Sequence, residues 1–239
     1  MMEYYEADIY PMKTKKKPVA VNIVLGLLAL LVAGFFIARA AGWTGQKNEA
    51  KLLILVNPWN QISAELNPDF TIIEGTQMVD SRCAEELENM LRDCRAQGYS
   101  PLILSSYRDW SQQEELYQNK VSELMAQGLD RETAEADAKS HAAAPGYSEH
   151  QLGLAVDLMD RKYNSWVYEN MNQEFYTWLD EHCAEYGFIK RYPTKKLLLT
   201  GWDEPWHYRF VGKEAATFIM EHDLCYEEFY AHYHPEFTF

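Results

Sequence analysis

Residues 19 to 38 form an unbroken apolar stretch in which Asn22 is the only strongly polar side chain. About 20 apolar residues, rising 1.5 Å each as a helix, match the roughly 30 Å hydrocarbon core of a bilayer. Lys13, Lys15, Lys16 and Lys17 stand immediately before it, and basic flanks of this kind stay on the cytoplasmic side. The rest of the chain is therefore expected outside. A cleaved signal peptide is the competing reading, because Ala38-Arg39-Ala40 has the small-x-small form of a cleavage site. The apolar run is longer than the roughly 7–15 residues of a signal h-region, which favours an anchor. Both readings export the remainder of the chain. The expected organisation is a cytoplasmic basic tail (1–18), a transmembrane anchor (19–39), a polar linker (40–51) and one domain (52–239).

The chain of 239 residues is 47% hydrophobic and 24% charged, which suits one globular domain with an added anchor. Five of its 22 basic and three of its 36 acidic side chains fall in 1–39, leaving 17 and 33 beyond, a net charge of −16. So acidic a domain argues against a nucleic-acid partner, since phosphate binding needs a basic face. Four cysteines are present: Cys83, Cys94, Cys183 and Cys225. Cys83 and Cys94 fall on one expected helix, about 16 Å apart along its axis, too far to bridge. No C-x-x-C pair occurs, which argues against a cysteine zinc site. The four are read as structural thiols.

The domain reads as α+β, with helices around a small antiparallel sheet, preceded by one N-terminal transmembrane helix. Leu52 to Val56 reads as a strand ended by Asn57-Pro58. Cys83, Leu87, Met90, Leu91 and Cys94 recur at helical spacing over 80–97, before Gly98. Leu102 to Ser105 is a buried-strand signal, and Asp109 or Ser111 caps a helix running to about Gln127. Further helices are expected over 130–141, 172–186 and 213–223, and strands over 154–159, 197–200 and 206–211.

Two short segments carry metal-ligand chemistry. In Ser148-Glu149-His150-Gln151-Leu152-Gly153-Leu154-Ala155-Val156-Asp157 an imidazole and a carboxylate lie seven residues apart, across a turn and into a strand. In Glu204-Pro205-Trp206-His207 a carboxylate and an imidazole lie three apart. Two imidazoles and a carboxylate suit Zn2+ and leave a fourth position for water, whose pKa the metal lowers to about 7. His150, Asp157 and His207 are the expected ligands. Glu204 is placed to take that water's proton as general base, and Arg108, just after a strand, to offer a fixed donor fork to a developing oxyanion. Each signal alone has a plainer reading: an ordinary His-Asp spacing, an exposed strand end, a helix-start ion pair. Trp206 and Tyr208 flank His207 and are read as packing residues.

In combination these segments resemble the VanY-type D-alanyl-D-alanine carboxypeptidases, within the larger group of zinc D,D- and L,D-peptidases of peptidoglycan. The resemblance rests on LVNPWN at 55–60, SSYRDWSQQEELY at 105–117, PGYSEHQLGLAVDL at 145–158, WLDEHCAEYGFIKRYP at 178–193 and TGWDEPWHYRFVG at 200–212. It implies an exported zinc hydrolase that removes the C-terminal D-alanine of muropeptide stems. It places the metal on His150, Asp157 and His207, the base on Glu204 and the oxyanion donor on Arg108. It also implies that Gln113 and Ser148 help hold the substrate's terminal carboxylate. From the residues alone, Ser148, two residues before a ligand, reads as a donor near the metal, with an ordinary turn serine as the plainer alternative, and Gln113 as facing either the cleft or solvent.

An L,D-carboxypeptidase acting on the tetrapeptide is the alternative within this chemistry. A non-catalytic muropeptide-binding protein, or a membrane protein whose domain is an interaction platform, is the alternative outside it. Asp203 precedes Glu204 where the family often has an aromatic residue, and is expected either to raise the Glu204 pKa by like-charge coupling or to bind a nearby His or Arg. The aromatic tail from Tyr226 to Phe239, with His232 and His234, reads as packing across the domain or as a contact with wall or membrane.

Overall fold

The structure, a computed structural model, describes residues 52–62, 68–163 and 170–233. The expected tail, anchor and linker (1–51) and His234 lie outside the described residues. Among the described residues no helix is long and apolar enough to cross a membrane.

A hairpin of β1 (Phe70–Glu74) and β2 (Gln77–Asp80) leads into helix α1 (Ser81–Ala96). Strand β3 (Pro101–Ser105) precedes the helix pair α2 (Trp110–Ala126) and α3 (Arg131–Ala138). Strand β4 (Ala155–Asp160), helix α4 (Gln173–His182) and strand β5 (Phe188–Lys190) come next. A one-turn helix α5 (Leu197–Thr200), strand β6 (His207–Phe210) and helices α6 (Lys213–Glu221) and α7 (Tyr226–Tyr233) follow. The main sheet has the order β3-β4-β6-β5, and every pair in it is antiparallel.

Helix starts are fixed by side chains that accept orphan backbone N–H groups. Asp80, Asp109, Asp130 and Asn172 cap α1, α2, α3 and α4, and Asp109 with Gln112 forms a full capping box. Each cap contributes about 1 kcal/mol. Side chains alternate across a strand, and the sheet uses this to separate two environments. Val156, Leu158, Tyr208 and Phe210 join Leu87, Met90, Leu91, Phe175 and Leu179 in one apolar core. Each such buried side chain is worth about 1.5–3 kcal/mol. Asp157, His207 and Arg209, the intervening residues, belong to the other face, where the polar site is built. Tyr117, Val121 and Leu124 of α2 pack on Ala134 and Ala138 of α3 as a second, smaller core.

The α+β arrangement and the antiparallel sheet agree with the sequence reading. Two segments differ. Leu52 to Val56 forms no strand: the Leu52 and Ile54 carbonyls accept from Arg209, and the Val56 carbonyl accepts from Arg191. Leu197–Thr200 is a single helical turn rather than a strand, ended by Gly201 at φ +82°, with Leu198 95% exposed. No sheet edge receives it. The β1–β2 hairpin, β5 and α7 were not foreseen.

Candidate metal centre

The register of β4 against β6 pairs Asp157 with His207 directly. Directly paired residues of an antiparallel ladder share a face, with Cβ atoms about 4.5–5.5 Å apart. His150 comes from a short 3₁₀ turn, Glu149–Leu152, immediately before β4. Gly153 ends that turn at φ +71°, and its carbonyl accepts the Asp80 N–H at 2.8 Å. A Cβ there would stand 3.0 Å from that same nitrogen, so glycine lets the loop fold back against the hairpin and bring His150 over the strand pair.

His150, Asp157 and His207 are all buried, and their ligand atoms lie within 4.8 Å of one another. His150 Nδ1 is 2.7 Å from the Ser106 carbonyl oxygen, which can only accept, so Nδ1 carries the proton and donates it. Nε2 of His150 is 3.2 Å from Asp157 Oδ2. His207 directs Nδ1 to Asp157 Oδ1 at 3.0 Å and Nε2 to Glu149 Oε2 at 3.2 Å. Burial, with the Arg108 guanidinium, pushes His150 down to about 4 despite Asp157. Burial opposes charge on His207 as well, but the hydrogen bonds to Asp157 and Glu149 outweigh it and raise it to about 9. Burial also acts to raise Asp157, yet the two histidines hold its carboxyl well below the usual carboxylate range.

A cleft of about 310 Å³ opens over this trio, lined also by Arg108, Ser148, Glu204, Tyr192 and Trp206. Glu204 Oε2 is 3.7 Å from His207 Nδ1. Burial raises the Glu204 carboxyl to about 7, with Asp157 and Glu149 adding to the effect against the pull of His207 and Arg108. Arg108 donates to Ser105 Oγ at 3.1 Å and Ser148 Oγ at 3.3 Å, while its Nε has no partner. The structure thus brings six of the seven sequence-derived site residues to one cleft. Gln113, the seventh, is fully buried and its amide donates to the Ala143 carbonyl at 2.6 Å. Ala143, rather than Gln113, lines the cleft.

Asp203 is exposed and accepts from Thr194 Oγ1 at 2.9 Å rather than from a His or Arg, and the largest influences on Glu204 are burial, His207, Asp157, Arg108 and Glu149. Trp206 precedes the first residue of β6 and forms part of the cleft wall, whereas Tyr208 is a core residue whose hydroxyl donates to Asp180. His232, on α7, stacks at 6.3 Å from Phe218, so this part of the tail packs on the domain.

A buried ion network beneath the centre was missed from sequence. Arg191 donates from Nε to Glu149 Oε1 at 2.7 Å, and from Nη1 and Nη2 to Glu227 at 3.0 and 2.7 Å. Arg209 Nη1 is 3.0 Å from the same Glu149 oxygen. Burial works to raise the Glu149 carboxyl, but Arg191, Arg209 and His207 overcome it and keep it ionised far below its ordinary value. The only sequence signal was Glu149 beside a ligand, with an Arg in each of the motifs around 191 and 209.

A buried His-Asp-His trio under a cleft, with a carboxylate and an arginine at its edge, is a metallohydrolase arrangement. The chain belongs to the VanY family: the family model described as D-alanyl-D-alanine carboxypeptidase matches residues 76–213. It is 42% identical over 178 residues to a D-alanyl-D-alanine carboxypeptidase of Enterococcus faecalis, a match covering 74% of this chain and 65% of that protein's length. The fold is similar to that of a mutant vancomycin-resistance D,D-pentapeptidase VanY from a VanB-type resistance cassette in complex with Zn(II). The TM-score is 0.68 and the identity 41%, over 75% of this chain and 98% of the other. VanYB in complex with D-alanine-D-alanine matches at TM-score 0.68 and 41% identity, over 74% and 96% of the two chains.

Proposed function

We propose that this chain is a zinc D-alanyl-D-alanine carboxypeptidase that removes the C-terminal D-alanine from peptidoglycan stem peptides. The observation that carries this reading is the pair His150 Nε2 and Asp157 Oδ2. Nδ1 of His150 holds the ring's proton, so a bare imidazole nitrogen faces a carboxylate oxygen at 3.2 Å. Two acceptors in contact are unfavourable unless a cation lies between them, and the two-imidazole, one-carboxylate donor set suits Zn2+ with an open position. The zinc complex and the D-alanine-D-alanine complex of the similar structures support the same assignment.

Zinc bound by His150, Asp157 and His207 would polarise the scissile carbonyl and lower the pKa of a bound water to about 7. Glu204 is the general base: it lines the cleft beside His207, and its carboxylate accepts a proton from the attacking water and delivers it to the leaving amine. Arg108, whose guanidinium lines the cleft, donates to the developing oxyanion. Ser148 Oγ, held by Arg108 in the lining of the cleft, helps hold the substrate's terminal carboxylate. Gln113 shapes that side by fixing the Ala143 carbonyl. Tyr192 and Trp206 wall the cleft and limit water around the reacting bond.

The anchor reading of 19–39 places this domain on the outer face of the cell membrane, where stem peptides are exposed; the apolar length and the flanking lysines support it. Product analysis by mass spectrometry on pentapeptide and tetrapeptide muropeptides tests the substrate. Release of one D-alanine from the pentapeptide is expected. Release from the tetrapeptide alone would make the enzyme an L,D-carboxypeptidase.

A further inference from the structure

The ion network under the metal centre is costly to build. Glu149, Arg191, Arg209 and Glu227 are each at most 1% exposed, and buried ion pairs often stabilise a fold less than apolar residues of the same size would. Packing alone does not account for four buried charges at this place. Their arrangement does point somewhere. Glu149 spends Oε1 on Arg191 and Arg209, and keeps Oε2 for the Nε2 of His207. An imidazole that donates from Nε2 to a carboxylate has its ring orientation fixed, and it presents Nδ1, the atom facing Asp157 and Glu204.

Outward from Glu149 the chain of contacts continues to the end of the domain. Arg191 is gripped by both oxygens of Glu227 on α7, and Asn57 Nδ2 donates to Glu227 at 3.1 Å. The Tyr226 ring, also on α7, lies 5.3 Å from the Arg191 guanidinium and 5.5 Å from that of Arg209, within the range of a cation–π contact. Asn57, Tyr226 and Glu227 all fall outside the family-matched segment 76–213.

We infer that Glu149 is the positioning residue that fixes His207 as a metal ligand, and that Arg191 and Glu227 hold Glu149 for this task. The C-terminal helix α7 thereby acts on the metal centre from outside the family segment. The inference rests on the proposed zinc function. Carboxylates that orient a ligating histidine typically contribute 10- to 100-fold to metal affinity.

The test is the zinc dissociation constant of the full-length chain, measured in detergent by competition with a chromophoric chelator, together with the zinc-induced rise in melting temperature. Glu149→Gln is expected to raise the dissociation constant about 10- to 100-fold and to shrink the zinc-induced rise. Glu227→Gln, which touches no ligand, is expected to give a smaller increase of at least about threefold. A purely structural role would lower the melting temperatures of metal-free and zinc-loaded protein equally and leave the dissociation constant unchanged. That result in a folded Glu149→Gln variant overturns the inference. If Glu149→Gln does not fold, Glu227→Gln decides: a wild-type dissociation constant overturns it. A wild-type chain that binds no zinc would remove the metal reading itself, and this inference with it.

Discussion

Glu204 Oε2 stands 3.7 Å from Nδ1 of His207, the same nitrogen that faces Asp157 at 3.0 Å. The carboxylate is thus at the edge of the ligand triangle without belonging to it, and about three-tenths of its side chain is exposed to the cleft. A base in this position can be lost without losing the metal. Glu204→Gln is expected to keep zinc near one per chain while turnover falls about 10²- to 10⁴-fold. Zinc content and D-alanine release on the same preparation check this, and near-normal turnover would remove Glu204 as the base.

Arg108 is anchored through both terminal nitrogens to Ser105 and Ser148, leaving Nε without a partner. Lysine cannot reproduce that fork. Arg108→Lys is expected to lose about 10²- to 10³-fold in kcat, as for removal of an oxyanion donor, with little change in KM or zinc content. A loss confined to KM would instead make Arg108 a binding group for the substrate's carboxylate.

The four cysteines are free and buried, and burial pushes each thiol up to about 12 from an ordinary value of 9.0. A raised pKa in the fold means a contribution to stability that is fully present below the unfolded value and lost as pH rises through the folded one. The folded domain is therefore expected to lose stability progressively from about pH 9 upward, as followed by thermal melts across pH. At pH 8 the native thiols are expected to be inert to a thiol reagent and all four to react on unfolding; rapid reaction of the native protein would contradict their burial.

The centre was legible because its residues lie in two short segments whose local conformation decides their use. Strand β4 and its preceding glycine turn could be read from Gly153 to Asp157, and β6 from the alternation around His207. Which side chains met across the ladder was a matter of register, and only the structure pairs Asp157 with His207. The run Leu197–Thr200 is too short for periodicity to separate a strand from a helical turn. The Glu149–Arg191–Glu227 network joins residues 42 and 36 positions apart, and nothing local distinguishes those charges from solvated ones. The β1–β2 hairpin left a trace in Thr71, Ile72 and Ile73 before Gly75, but Gly75-Thr76 is not among the strong hairpin pairs.

The most direct test is D-alanine release from a pentapeptide stem by the purified chain before chelation, after chelation, and after zinc is restored. The expected result is release that stops on chelation and returns with about one zinc per chain. Release that continues undiminished in metal-free protein would contradict a zinc centre at His150, Asp157 and His207.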